Sequence, residues 1–327
     1  MRESPNKMSK SPVSSSDLQD PLSELIDHMR VSTQVHGLFE VSAPFALRFE
    51  PHAGVDVMLL SVLRGSAAVS SAGATPSTLS SGDLMLATRS VALDLKDAPS
   101  SRAPVQRIAQ CQQLTTAEDR GRGGARTRFV GVGFLISPMS RQAILAQLPP
   151  LLVTASDDNP TLAAAAGLFR SEAASPRSGS RALLSRLAEV IFIDLLRRAG
   201  QREEGRCGEL KALADPQLAR ALALVHAQPA ASWTIESLGR AVGLSRSAFA
   251  ARFLAKVGEP PLHYVARWRM RRAAQLLIDG DAGLGDVARQ VGYRSEASFS
   301  RAFARFVGSP PGTFRRQQRQ MRSPGRS

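Results

Sequence analysis

The side chains best placed to do chemistry are arginines set opposite phenylalanines. In residues 246–257, Phe249, Phe253 and Val257 recur at i, i+4 and i+8, so a helix there buries that edge and turns Arg246, Ser247, Ala250 and Ala251 outward. In residues 296–307, Phe299 and Phe303 do the same and leave Glu296, Ala297, Ser300 and Arg301 outside, behind Ser295. A guanidinium can donate a fork of hydrogen bonds to guanine O6 and N7, and a serine is a degenerate partner. A glutamate either accepts from cytosine N4 or faces solvent, and an alanine can only touch a thymine methyl. Base reading is therefore expected of Arg301 and Arg246, and the first helix, with two alanines among its four outer residues, is expected to read weakly. Arg294, Arg252, Arg305 and Arg315 suit phosphate contacts, which position without specifying. Each arginine has the alternative of a solvated or intramolecular ion pair.

The elements that would hold these side chains form an internal repeat. Leu238-Gly239-Arg240-Ala241-Val242-Gly243-Leu244 has its counterpart in Val287-Ala288-Arg289-Gln290-Val291-Gly292-Tyr293. Phe249, Phe253, Val257, Gly258, Pro260 and Pro261 recur 50 residues later as Phe299, Phe303, Val307, Gly308, Pro310 and Pro311. Each copy predicts a short helix ending at Gly243 or Gly292, where a left-handed residue turns the chain without a Cβ penalty. A second helix, capped by Ser245 or Ser295, follows, and Gly-x-Pro-Pro stops it. This is helix-turn-helix geometry, in which the second helix enters the major groove. Between the copies, His263 to Ile278 predicts a longer helix with Tyr264, Val265, Trp268, Ala273, Leu276 and Leu277 apolar and Arg267, Arg269, Arg271 and Arg272 interspersed, able to join two binding units rigidly. A purely structural two-helix repeat is the alternative.

Charge favours the first reading. Residues 206–327 hold 20 Lys and Arg against 8 Asp and Glu, and so carry +12 of the chain's +14. A field this concentrated points to a polyanion, usually nucleic acid. It is spread over several short helices, which disfavours one basic membrane-surface helix. A length of 327 residues gives two or three domains. Cys111 and Cys207 alone exclude a disulfide framework or a cysteine zinc cluster and fit a reducing compartment. Residues 1–17, rich in Ser, Lys and Pro, read as a disordered tail lacking the apolar run of a signal peptide, and no stretch approaches the about 18 apolar residues of a spanning helix. A cytoplasmic protein with no membrane partner is expected.

From about residue 20 to 140 the pattern changes to short apolar runs: Phe45 to Phe49, Val55 to Val69, Asp83 to Ala87, Ser90 to Leu95 and Phe129 to Ile136. Short strands at this spacing predict a sandwich or barrel, with Thr115 to Thr127 as a mobile loop. Gly121-x-Gly123-Gly124 lacks the strand-loop-helix context of a phosphate cradle. His28, His36 and His52 contain no His-x-His pair, too few ligands for a metal site. No nucleophile-base pair or carboxylate pair can be located, so no catalytic residue, metal or cofactor is assigned. Arg48, among apolar neighbours in a strand, either anchors an anionic effector or points to solvent. Thr161 to Arg198 reads helical, with Leu183, Leu184, Leu187, Val190, Ile191, Ile193 and Leu195 asking for burial on more than one side, inside its own domain or against a second copy.

Residues 210 to 320 closely resemble the AraC/XylS family of transcription regulators. The motif is Val287-Ala288-x-x-Val291-Gly292-Tyr293-x-Ser295-x-x-x-Phe299-Ser300-Arg301-x-Phe303-x-x-x-x-Gly308-x-x-Pro311-x-x-Phe314-Arg315. The N-terminal half, to about Gly200, resembles the cupin-like sensor domain joined to many of them. That likeness runs through Asp20-Pro21-Leu22-Ser23, Ala46-Leu47-Arg48-Phe49, Leu63-Arg64-Gly65, Ser81-Gly82-Asp83, Val130-Gly131-x-Gly133-Phe134 and Leu148-Pro149-Pro150-Leu151-Leu152. Thr88 and Leu93 stand where such sequences commonly have Pro and His, which speaks against metal.

The resemblance implies a multidomain α+β protein. A cupin-like β-barrel or sandwich would span 18–155, a helical connector or dimerisation segment 156–205, and an all-α double helix-turn-helix domain 206–320, followed by a basic tail at 321–327. It implies an effector-responsive regulator or activator that binds double-stranded promoter DNA through two recognition helices in successive major grooves. Its partners would be RNA polymerase, an unidentified small-molecule effector and a second copy of itself. A cupin enzyme fused to a DNA-targeting module, or an architectural DNA-binding protein without ligand, are the other readings.

Overall fold

The reason for the unbroken apolar runs appears in the computed structural model, which describes residues 20–51, 54–88, 92–108, 123–155, 159–202 and 207–322. The N-terminal half contains α1 (Pro21–Met29), β1 (Ser32–Ser42), β2 (Ala46–Phe49), β3 (Val57–Arg64), β4 (Ser66–Ser71), β5 (Ser77–Ser80), β6 (Leu84–Thr88), β7 (Leu93–Lys96), β8 (Val105–Ile108), β9 (Arg126–Leu135), α2 (Pro138–Leu145), β10 (Leu151–Thr154), α3 (Pro160–Ala174), α4 (Ser180–Gln201) and α5 (Glu209–Leu213). The strands form two sheets, ordered β1-β9-β3-β6-β10 and β5-β4-β7-β2-β8. Every pairing is antiparallel except β2 with β8.

The first sheet is covered on both faces. Phe129 of β9 joins Phe39, Phe49, Met58, Leu60, Met85 and Leu95 in a buried cluster to which both sheets contribute. Phe134, five residues on and therefore on the opposite face, stacks on Phe192 of α4 at 4.5 Å. Strands buried on both sides read as continuous runs. In β2, Leu47 and Phe49 join the cluster, while Arg48, the one residue of the strand that is not fully buried, points away from it. A side chain at Gly133 would force His36 and Val55 to move, because a Cβ there would lie 2.5 Å from His36 Nε2 and 2.8 Å from Val55 Cγ2.

Several expectations need adjusting. Residues 21–29 are a helix, whose end is tied to α2 through Ser137 N–H donating to Met29 O at 2.9 Å and Ser140 Oγ donating to His28 O at 3.2 Å. Arg126 and Thr127 start β9 and do not end a loop; residues 115–122 lie outside the described residues, as do the N-terminal tail at 1–17, His52, Cys111, Gly121 and the end of the basic tail at 323–327. The helical stretch from 161 to 198 is two helices, broken at Ser175-Pro176-Arg177-Ser178-Gly179, with Gly179 at φ +87°. Pro176 cannot continue a helix, and Glu172 accepts from Arg177 and Ser180 across the break. Asn159 caps α3 by accepting from Leu162 N–H at 2.7 Å. Much of α4 is thereby buried within its own unit, against α3, α5 and the first sheet.

The remaining elements are all helical: α6 (Pro216–Ala227), α7 (Ile235–Ala241), α8 (Arg246–Val257), α9 (Pro261–Asp279), α10 (Leu284–Gln290), α11 (Glu296–Val307) and α12 (Pro311–Arg322). The described residues divide into two compact units, one of 26–214 with 255–258, the other of 20–25, 215–254 and 259–322.

Candidate nucleic-acid interface

Both turns of the repeat close alike. Leu244 N–H donates to Gly239 O at 2.9 Å and Gly243 N–H to Arg240 O at 3.3 Å; Tyr293 N–H donates to Ala288 O at 2.8 Å and Gly292 N–H to Arg289 O at 3.0 Å. These paired bonds end each first helix in a Schellman turn around a left-handed glycine, Gly243 at φ +73° and Gly292 at φ +83°. Each second helix then starts on a serine, with Ser245 Oγ accepting from Ala248 N–H and Ser295 Oγ from Ser298 N–H, both at 3.2 Å. Phe249 and Phe253 are buried with ring centroids 5.5 Å apart, Phe299 and Phe303 with theirs 5.6 Å apart. The outer faces of α8 and α11 are consequently presented in equivalent frames.

Helix α9 carries aromatic and ionic staples. Trp268 is buried and stacks on His226 of α6 at 3.5 Å between ring centroids, and His226 Nε2 lies 2.6 Å from Tyr264 Oη. Arg269 donates to Pro229 O at 2.7 Å and Ala231 O at 2.8 Å, while Arg267 and His263 both bond Glu259. Arg271 is buried. These basic residues tie the helix to its own surroundings. The apolar pattern marks α9 as a helix but does not reveal those partners.

The outward residues fall into two groups. Arg246, Ser247, Ala251, Arg294, Ser295, Glu296, Ala297, Arg301 and Arg305 are exposed, with Ala250 and Ser300 half-buried beside them. Arg246, Arg294 and Arg301 have no ion-pair partner among the described residues, and Arg305 lies against the ring of Phe306, 5.6 Å from its centroid. Two arginines expected on phosphates are engaged inside the protein. Arg252 Nε donates to Asp215 Oδ2 at 2.7 Å and its Nη1 to Gln217 Oε1 at 2.8 Å. Arg315 donates to Ala282 O at 2.6 Å. Asp215 also caps α6, accepting from the N–H groups of Gln217 and Leu218 at 3.1 and 3.3 Å. Burial pushes its carboxyl up, but Arg252 and those two N–H groups outweigh it and hold it below the usual carboxylate range. Sequence reasoning missed Leu254, a large apolar side chain 50% exposed on α8, because it carries no donor to attract notice.

In the other unit Arg48 stands directly across the strand pairing from Asp94 and donates two hydrogen bonds to it, both at 2.7 Å. The hydrogen bond from Arg48 depresses the Asp94 carboxyl below its usual range. Of the two orientations open to Arg48, it takes the one facing away from the buried cluster, with its charge already matched. Among the described residues no three or more His, Cys, Asp or Glu gather as a metal site, and no helix is long and apolar enough to cross a membrane.

Residues 20–200 match the cupin family, and residues 238–317 match the helix-turn-helix domain family. A putative AraC-like transcription regulator of Streptomyces lividans is 32% identical over 301 residues, spanning 91% of this chain and 98% of the relative. Another, of Streptomyces antibioticus, is 33% identical over 316 residues with the same coverage. The HTH-type transcriptional regulator AlkR of Acinetobacter baylyi is 37% identical over 139 residues, 42% of this chain and 45% of that protein. Two Phe-pinned helix-turn-helix units following a two-sheet domain along the chain, with this likeness running nearly end to end, place the chain in the AraC-type family of transcription regulators.

Proposed function

We propose that the protein is a cytoplasmic, non-enzymatic regulator that binds double-stranded promoter DNA with α8 and α11 in successive major grooves, in response to a small-molecule effector taken by the cupin unit. The observation that carries this is the duplicated frame: the same Schellman turn, serine cap and buried phenylalanine pair present the outer faces of α8 and α11 to solvent. In this reading Arg301 and Arg246 contact bases, with Ser247, Ala250, Ala251, Ser295, Glu296, Ala297 and Ser300 beside them, and Arg294 and Arg305 contact phosphates. Arg252 and Arg315 serve chiefly to hold the domain together. Activation would follow from contact of the DNA-bound form with RNA polymerase. A second copy would cover the apolar side chains that the helical pair α3 and α4 leaves outside, Leu168 at 62%, Leu183 at 45% and Val190 at 44% exposure.

Selection of binding sites from a randomised duplex pool by the full-length protein tests the DNA reading. Enrichment of a site with two determinants about one helical turn apart is expected. Binding that is wholly salt-driven and indifferent to sequence would overturn it in favour of an architectural role.

A further inference from the structure

The two recognition helices share a frame but differ in chemistry. At the 50-residue offset, Ala250 corresponds to Ser300, Ala251 to Arg301 and Leu254 to Ala304. Where α11 offers a hydroxyl and a free guanidinium, α8 offers only hydrocarbon. Arg252, the one cation in the middle of α8, is turned to Asp215 and Gln217. Ser247, Ala251 and Leu254 fall at i, i+4 and i+7 and form one stripe, with Ala250 half-buried alongside. At 1.5 Å per residue the stripe from 247 to 254 is about 10 Å long, or about three base pairs at 3.4 Å each.

Leu254, 50% exposed at the end of a stripe otherwise made of alanine and serine, turns its largest apolar group to water. In a major groove the one apolar group that a base pair displays is the thymine 5-methyl. We infer that beyond Arg246 the outer face of α8 reads its half-site by apolar contact, with Leu254, Ala251 and Ala250 packing on thymine methyl groups, while α11 reads guanine through Arg301. The base pairs under residues 250–254 of α8 are then thymine-bearing, and those under Arg301 of α11 guanine-bearing. The inference rests on the proposed docking of both helices in major grooves, and adds which base feature the first one recognises.

Deoxyuridine tests it, because it keeps every hydrogen-bonding group of thymidine and lacks only the methyl. The full-length protein is first used to select a site, and the half-site under α11 is located as the one where Arg301→Ala relaxes base preference. Thymidines of the other half-site are then replaced singly by deoxyuridine. We expect at least one replacement to weaken binding about fourfold, the value of one buried carbon group. Leu254→Ala should weaken binding to the thymidine duplex by a similar factor and add no further loss on the deoxyuridine duplex, a coupling that a general defect would not give. An unchanged thermal melt of Leu254→Ala checks that the exposed substitution leaves the fold intact.

A selected site whose first half contains no thymidine, or contains thymidines that deoxyuridine replaces without loss, overturns the inference and leaves groove docking standing. So does a Leu254→Ala variant that binds both duplexes like the wild type and changes only its oligomeric state, which would assign the stripe to a second copy. Failure to select any site overturns the docking itself, and the inference with it.

Discussion

An arginine's role depends on what lies within reach of its guanidinium, and sequence hides that. Arg252 and Arg301 each lie on a recognition helix within two residues of a buried phenylalanine. Arg252 meets Asp215 from 37 positions earlier, whereas Arg301 has no ion-pair partner among the described residues. Arg301→Ala should therefore cost about 1–3 kcal/mol of specific DNA affinity and relax preference at one base pair. Equal losses on operator and random duplexes, measured by titration, would remove its base-reading role. Asp215→Asn should instead destabilise the fold by about 1–3 kcal/mol, since it weakens a cap and removes the charge that Arg252 matches. The Asp215 carboxyl is depressed in the folded protein, so its contribution is complete above the unfolded carboxylate value and disappears as pH falls through the folded one. Urea unfolding at stepped pH should accordingly show the gap between wild type and variant closing toward acid.

Elements were legible where their signals are local. The i, i+4 phenylalanines, Ser245 and Ser295 as caps, and the Gly-x-Pro-Pro stops lie within a few residues of what they specify, and the helices of the repeat stand where these place them. β1, with His36 and Gly37 at a register shift, escaped notice because its partner β9 is about 90 residues away and no local pattern pairs them. The break at 175–179 was masked by apolar residues on both sides. The two turn glycines look interchangeable in sequence but are not in space. A Cβ on Gly243 meets nothing within 4 Å, so Gly243→Ala should cost only the left-handed backbone, about 1 kcal/mol. A Cβ on Gly292 would lie 2.9 Å from Ala230 Cα and 3.0 Å from its carbonyl oxygen, backbone atoms with little room to give. Gly292→Ala should therefore cost at least about 1 kcal/mol more, as overpacking does, and equal urea midpoints for the two variants would contradict this account.

At the scale of the whole molecule, net charge overstates the footprint on DNA. Residues 206–327 carry +12, and if each excess charge met a phosphate, the log of the binding constant would fall against log salt with a slope of about −11. The structure spends many of these cations internally. Arg252 is held by Asp215, Arg267 by Glu259, Arg289 by Asp286 and Arg319 by Asp281, while Arg269 and Arg315 are held by backbone carbonyls. At the two recognition helices Arg246, Arg294, Arg301 and Arg305 stay outward, and of these Arg294 and Arg305 are the ones proposed on phosphates. Those two phosphate contacts predict a slope of about −2 per bound chain. The substitutions should divide accordingly: Arg294→Ala or Arg305→Ala should lower the steepness by about 1, whereas Arg252→Ala should leave it unchanged and lower the melting temperature. A measured slope near −11, or one that Arg252→Ala reduces as much as Arg294→Ala does, would mean that the internal pairs open on DNA. The fold's ionic staples and its DNA contacts would then be the same residues.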